Sequence, residues 1–120
     1  SMKNALIQQA KPYYNHFMIA AIEDETLEKT MMAQVSQALL LIKGCVASFT
    51  IARVKNNPNA VAVSARSDGS YNVQKIMEKL NGGGHFSAAA VEREDVSVQQ
   101  MKDMILKCIE EEQNNESNIA

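Results

Sequence analysis

A chain of 120 residues, 46% hydrophobic and 22% charged, has the size and composition of one domain with its own core. A formal net charge of −2 excludes the broad basic surface that coats long duplex nucleic acid, so any polyanionic partner must be small or held at a local patch. No apolar run reaches the roughly 20 residues that span a bilayer, and the first residues carry no signal-peptide pattern.

The two cysteines, Cys45 and Cys108, stand far apart at apolar positions and predict buried free thiols, as in a reducing cytosol. There are two histidines, His16 and His85, and no His-x-Asp, Asp-His-His or His-Glu-x-x-His cluster. A metal-hydrolysis centre is therefore not expected within these residues, and neither is a cofactor. His16 reads as a strand-edge residue. Ser1-Met2 looks like a tag-cleavage scar, so residues 1–15 are expected to be a lead-in or interdomain linker of a longer protein.

In chain order, a short helix over residues 5–10 is expected to stop near Pro12. Residues 17–22, an unbroken apolar run, predict a strand covered on both faces. Asp24 and Thr26 offer N-caps for a long helix whose apolar stripe is Leu27, Met31, Val35, Ala38 and Ile42, with Gly44 as its C′ residue. Residues 45–54 read as a second strand, 55–59 as a turn and 60–67 as a third strand, giving an antiparallel hairpin. Alternation puts Val61, Val63 and Ala65 on one face of the third strand and Ala60, Ala62, Ser64 and Arg66 on the other.

Asp68-Gly69-Ser70 is a turn, and Asn72 is the expected N-cap of a helix with Val73, Ile76, Met77 and Leu80 on one face. Residues 88–94 predict a further strand. Ser97 and Gln100 form a capping box ahead of a helix that carries Val98, Met101, Ile105, Cys108 and Ile109 at helical spacing. Beyond Glu112 the chain is polar, and 113–120 is expected to be a disordered tail. The pattern specifies an α/β fold: a single domain with a mixed sheet of about four to five strands, helices packed on it, and a glycine loop beyond the strand ends.

That loop, Gly82-Gly83-Gly84-His85, is the densest chemical signal. Three residues without Cβ let an anion approach the backbone amides, and a helical turn starting in residues 86–90 would add its dipole. His85 would stand at the rim as a hydrogen-bond donor or proton-transfer group. A flexible linker beside a surface histidine is the competing reading. Arg66, at the end of the third strand with Ser64 and Ser67 nearby, could fork onto the same phosphate.

Ser64-x-Arg66-Ser67, Asn72-Val73-Gln74-x-Ile76-Met77-Glu78 and Gly82-Gly83-Gly84-His85 together resemble the DHH-associated domain, type 1, the C-terminal lobe of DHH phosphoesterases. The resemblance covers roughly residues 16–112. The first two motifs are similar to those of membrane-anchored cyclic-di-AMP phosphodiesterases, whose other parts are transmembrane helices, PAS and degenerate GGDEF domains and the DHH domain. The resemblance implies a DHH domain in cis that holds two Mn²⁺ ions and activates water. This lobe would bind a cyclic dinucleotide or short oligonucleotide, through Arg66 and the Gly82, Gly83 and Gly84 amides on phosphate. Ser64, Ser67 and Asn72 would line the pocket, and His85 would meet the reacting phosphate. The family often has a glycine where this chain has Asn81, and Asn tolerates left-handed backbone angles.

What is expected is the substrate lobe of a cyclic-di-AMP phosphodiesterase, inactive alone, on the cytoplasmic side of a membrane-bound protein. The alternatives are the same lobe of an oligoribonuclease or short-nucleotide phosphatase, and a non-catalytic nucleic-acid-binding module. Monomer and homodimer are both left open.

Overall fold

The computed structural model describes residues 1–119. In chain order its elements are α1 (Met2–Ile7), β1 (Lys11–Tyr13), β2 (Phe17–Leu27), α2 (Lys29–Leu39) and β3 (Ala47–Val54). They are followed by β4 (Asn57–Ser67), α3 (Val73–Lys79), β5 (Gly83–His85), β6 (Ala88–Arg93) and α4 (Val98–Ile119). The strands form one six-stranded sheet in the order β1-β2-β3-β4-β6-β5. β2 and β3 are parallel, with α2 as the crossover, and every other pair is antiparallel.

The sheet has two covered faces because its strands alternate apolar residues both ways. One face sends Phe17, Ile19, Phe49, Ile51, Val61, Val63 and Val91 against Val73, Ile76 and Met77 of α3 and Met101, Ile105 and Ile109 of α4. The other sends Met18, Ala20, Ile22, Ala52 and Ala62 against Met32, Val35 and Leu39 of α2 and Leu6 of α1. The alternation read for residues 60–66 and the apolar faces of α3 and α4 hold residue by residue. So do both bonds of the capping box: the Gln100 amide donates to Ser97 Oγ at 3.0 Å, and the Ser97 amide to Gln100 Oε1 at 2.8 Å. Cys45 and Cys108 are buried free thiols, their pKa raised chiefly by burial.

Several boundaries differ from expectation. The sheet has six strands rather than four to five, because β1 and β5 contribute three residues each. Residues 2–7 form a helix whose first turn is capped by Ser1, and β1 turns into β2 through Tyr14 and Asn15 at positive φ. β2 runs on to Leu27, so neither Asp24 nor Thr26 caps α2; its N-cap is Glu28, without a side-chain hydrogen bond. The buried stripe of α2 is accordingly Met32, Val35, Ser36 and Leu39. α2 ends at Leu39 with Leu40 as its C-cap, so Gly44, at φ +87°, serves the following turn instead of capping the helix. α4 continues as helix past Glu112 to Ile119, where a tail without structure was expected. Among the described residues no helix is long and apolar enough to cross a membrane.

Ser36 is buried because it is fully bonded. Its hydroxyl donates to the Ser64 carbonyl at 2.7 Å and lies 2.7 Å from Thr50 Oγ1, while its own carbonyl accepts from Ser48 Oγ at 2.6 Å. The helix is thereby fastened to β3 and β4. On the opposite face Glu112 of α4 lies between two lysines of α3, 2.7 Å from Lys79 Nζ and 3.0 Å from Lys75 Nζ.

Its two lysine partners, Lys79 foremost, hold the Glu112 carboxyl below the usual range. A depressed carboxyl pKa stabilises the fold above its unfolded value and loses that contribution as pH falls through the folded one. Glu112→Gln is expected to cost about 1 kcal/mol at neutral pH, given the exposure of both lysines. The difference from wild type should shrink in urea unfolding as pH falls through the lowered folded pKa of Glu112; a difference that persists once this carboxyl is protonated would refute the ion-pair origin.

Candidate functional site

α2 packs mainly over β3 and β4 and also touches β2, which leaves the same face of β6 and β5 without a helix above it. Antiparallel partners point to the same side of a sheet, and the register therefore defines two rows across this face. One row is Ser48, Arg66, Ala88 and His85; the next is Thr50, Ser64, Ala90 and Gly83. Ser48 and Thr50 disappear under α2, whereas the β6 and β5 members look outward. The result is a groove of about 530 Å³. Its floor is made by Ala62, Ser64, Ala88 and Ala90, its wall by Met32 and Ala33 of α2, with Arg66 at one end and Lys29 and Glu92 at the other. Alanines make the hollow: any longer side chain at 88 or 90 would fill it.

Arg66 is half-buried, its Nη1 donating to the Ala65 carbonyl at 3.0 Å, and it makes no ion pair among the described residues. Its charge is therefore free for a ligand. His85 is exposed, two strands away from Arg66, which at the usual strand spacing is about 10 Å of backbone. The groove is cationic at the Arg66 end, while the other end holds a charge-neutral pair, Lys29 Nζ lying 2.6 Å from Glu92 Oε1.

The glycine motif is not the loop that the sequence suggested. Gly83–His85 is an edge strand, and residues 86–87 are the turn of its hairpin with β6, so no helix dipole points at it. Asn81 takes φ +72° just past α3, the left-handed role inferred for it. Around it the Asn81 amide donates to the Glu78 carbonyl at 3.1 Å and the Gly82 amide to that of Met77 at 2.8 Å. This is a Schellman closure of the helix, and it consumes the Gly82 N–H that was expected to hold phosphate.

Each glycine has its own reason. A Cβ at Gly82 would come within 2.2 Å of the Ala90 carbonyl oxygen, and one at Gly84, at φ +144°, within 2.5 Å of Ala89 Cα. Both are needed for close backbone approach to β6. A Cβ at Gly83 meets nothing within 4 Å, and its row places it on the groove side. As an edge strand, β5 also leaves alternate main-chain groups unpaired along its outer side.

Of the residues singled out in the sequence, Ser64, Arg66 and Gly82 line the groove, and Gly83 and His85 share its face. Ser67 does not: one step along β4 from Arg66 it faces α3 and α4, and its Oγ accepts from the Gly69 amide at 3.2 Å. Asn72 caps α3, its Oδ1 accepting from the Lys75 amide at 3.2 Å. Gly84 alternates to the side opposite His85. Lys29 and Glu92 were missed, because only the β4–β6 pairing brings residues so distant in sequence to one groove.

The DHHA1 domain family model matches residues 15–114. The chain is 41% identical over 87 residues to the cyclic-di-AMP phosphodiesterase GdpP of Geobacillus thermodenitrificans, covering 72% of this chain and 13% of that protein. It is 34% identical over 111 residues to the cyclic-di-AMP phosphodiesterase PdeA of Listeria monocytogenes, covering 92% of this chain and 17% of that protein. It thus spans less than one fifth of either relative. Among solved structures, an exopolyphosphatase-related protein from Bacteroides fragilis shares the fold with a TM-score of 0.75 at 18% identity, over 92% of this chain and 33% of that one.

The three glycines are separable by mutation. Gly82→Ala should shift β5 away from β6 and lower the urea midpoint by an amount equivalent to about 1–3 kcal/mol. Gly83→Ala should leave the midpoint within about 0.5 kcal/mol of wild type. Equal losses at both positions would refute the geometry assigned to the edge strand.

Proposed function

The chain belongs to the DHHA1 domain family, and on that premise we propose that it is the nucleotide- and phosphate-binding lobe of a DHH-family phosphodiesterase that hydrolyses cyclic-di-AMP to linear pApA. The observation that carries this reading is the row Arg66–Ala88–His85 across an uncovered sheet face. A guanidinium without an ion-pair partner and an imidazole flank a floor with no bulk between them. That suits a phosphate held at the end of a flat nucleoside, with the base over Ala88 and Ala90 and against Met32.

Arg66 would hold two phosphate oxygens in its plane, which fixes the orientation of the phosphodiester. His85, on the rim and exposed, would hydrogen-bond the reacting phosphate or give a proton to the leaving oxygen. Ser64 adds a hydroxyl to the floor in the neighbouring row, two residues along β4 from Arg66. Among the described residues no three His, Cys, Asp or Glu side chains converge as metal ligands. We assign the Mn²⁺ ions implied by the resemblance to a DHH domain in cis, within a protein bound to the bacterial membrane. This lobe alone is then a binder without turnover.

The test is the longer protein with its DHH domain and Mn²⁺. It should hydrolyse cyclic-di-AMP, with His85→Ala lowering kcat by about 100-fold or more. Arg66→Ala should raise KM by about tenfold. A folded, metal-loaded protein that leaves cyclic-di-AMP intact would overturn the assignment. Faster cleavage of short RNA than of cyclic-di-AMP would replace it with the oligoribonuclease reading.

A further inference from the structure

The end of the groove opposite Arg66 has a design of its own. Lys29 is the first residue of α2, a helix with no acidic residue in its first turn and no side-chain hydrogen bond from its N-cap Glu28. The helix dipole therefore adds to the lysine charge at that point. The anion facing Lys29 is Glu92, whose Oε1 is 2.6 Å from its Nζ; the neighbouring Glu28 lies 3.7 Å from Lys55 Nζ instead. Glu92 pairs with Ala62, and Ala62 is four residues along β4 from Arg66. Arg66 and the level of the Lys29–Glu92 pair are thus about 13 Å apart along the strand.

The ion pair contributes little to the fold. Lys29 and Glu92 side chains are 64% and 34% exposed, and pairs so exposed are worth well under ~1 kcal/mol. Lys29 also has room to move, since a second hollow of about 340 Å³ lies on its other side, bounded by Glu28, Thr30, Asn56 and Asn57. The lysine at the groove end opposite Arg66 is thus weakly held, with one carboxylate occupying its charge.

We propose that Lys29 is a second phosphate anchor, occupied by Glu92 when the groove is empty, so that Arg66 and Lys29 together select a ligand with two phosphates over a mononucleotide. The inference rests on the nucleotide-binding reading of the groove. A dinucleotide spanning the floor places one phosphate on Arg66 and displaces Glu92 with the other. A mononucleotide reaches only one anchor and leaves the Lys29–Glu92 pair closed. Glu92 sets the threshold: a ligand must offer Lys29 more than the carboxylate does.

The experiment is calorimetric titration of this chain with pApA and with AMP at one ionic strength, folding being checked by circular dichroism. Lys29→Met should weaken pApA about tenfold and leave AMP unchanged. Glu92→Gln should tighten pApA about threefold or more without changing AMP, since it removes the competing charge. Arg66→Ala should weaken both ligands. If Lys29→Met leaves the pApA-to-AMP ratio unaltered, or Glu92→Gln weakens pApA, the second anchor is refuted while the nucleotide groove stands. If the wild-type chain binds neither ligand, both readings fall.

Discussion

The hydroxyl and carbonyl of Ser36 fix where the sheet is covered and where it is bare. Through them α2 is bonded at once to Ser48 and Thr50 of β3 and to the Ser64 carbonyl of β4. These groups are buried, so a slide of the helix towards β6 would strand several donors and acceptors away from water, at about 1–3 kcal/mol for each. Purely apolar packing would tolerate such a slide more easily. Because α2 cannot spread over β6, the alanines at 88 and 90 stay uncovered, and the groove exists. The pocket is thus a consequence of polar bonding under its wall as much as of the residues that line it.

The glycine motif shapes the edge of the sheet. Gly82 and Gly84 let β5 lie against β6 without a side chain between them, and Asn81 with Gly82 closes α3. Together they deliver His85 to the same face as Arg66. A chain with larger residues at these points would push the histidine strand off the sheet edge.

Much of this was legible from residues alone, where periodicity is long enough to read. The alternation of residues 60–66 assigned both faces of β4 correctly, and so put Ser64 and Arg66 together. The four apolar residues of α3 and the Ser97–Gln100 box were equally clear. β1 and β5 were not legible, because three residues carry no period and glycine carries no side-chain pattern. The polar run Glu23-Asp24-Glu25-Thr26 imitated a helix start, yet it continues β2, held by the parallel pairing of Thr26 and Leu27 with β3. Ser67 was read into the pocket from its closeness to Arg66 in sequence, but in a strand adjacent residues face opposite ways. Lys29 and Glu92 could be found only from the sheet order.

The clamp between α3 and α4 has a dynamic consequence for the histidine. α3 is joined to β5 at its C-terminal end by the Met77–Gly82 bond, and at its N-terminal end the Val73 amide donates to the Phe86 carbonyl at 3.0 Å. The same turn is tied to β4, where the Ser67 amide donates to the Ser87 carbonyl at 2.9 Å. Glu112 in turn holds the helix to α4. The His85 hairpin is therefore no hinged flap. Its amides that bond to β6 belong to the cooperative unit of the core, and they exchange with solvent hydrogen only when that unit opens. Any displacement of this hairpin therefore carries the packed helices α3 and α4 with it.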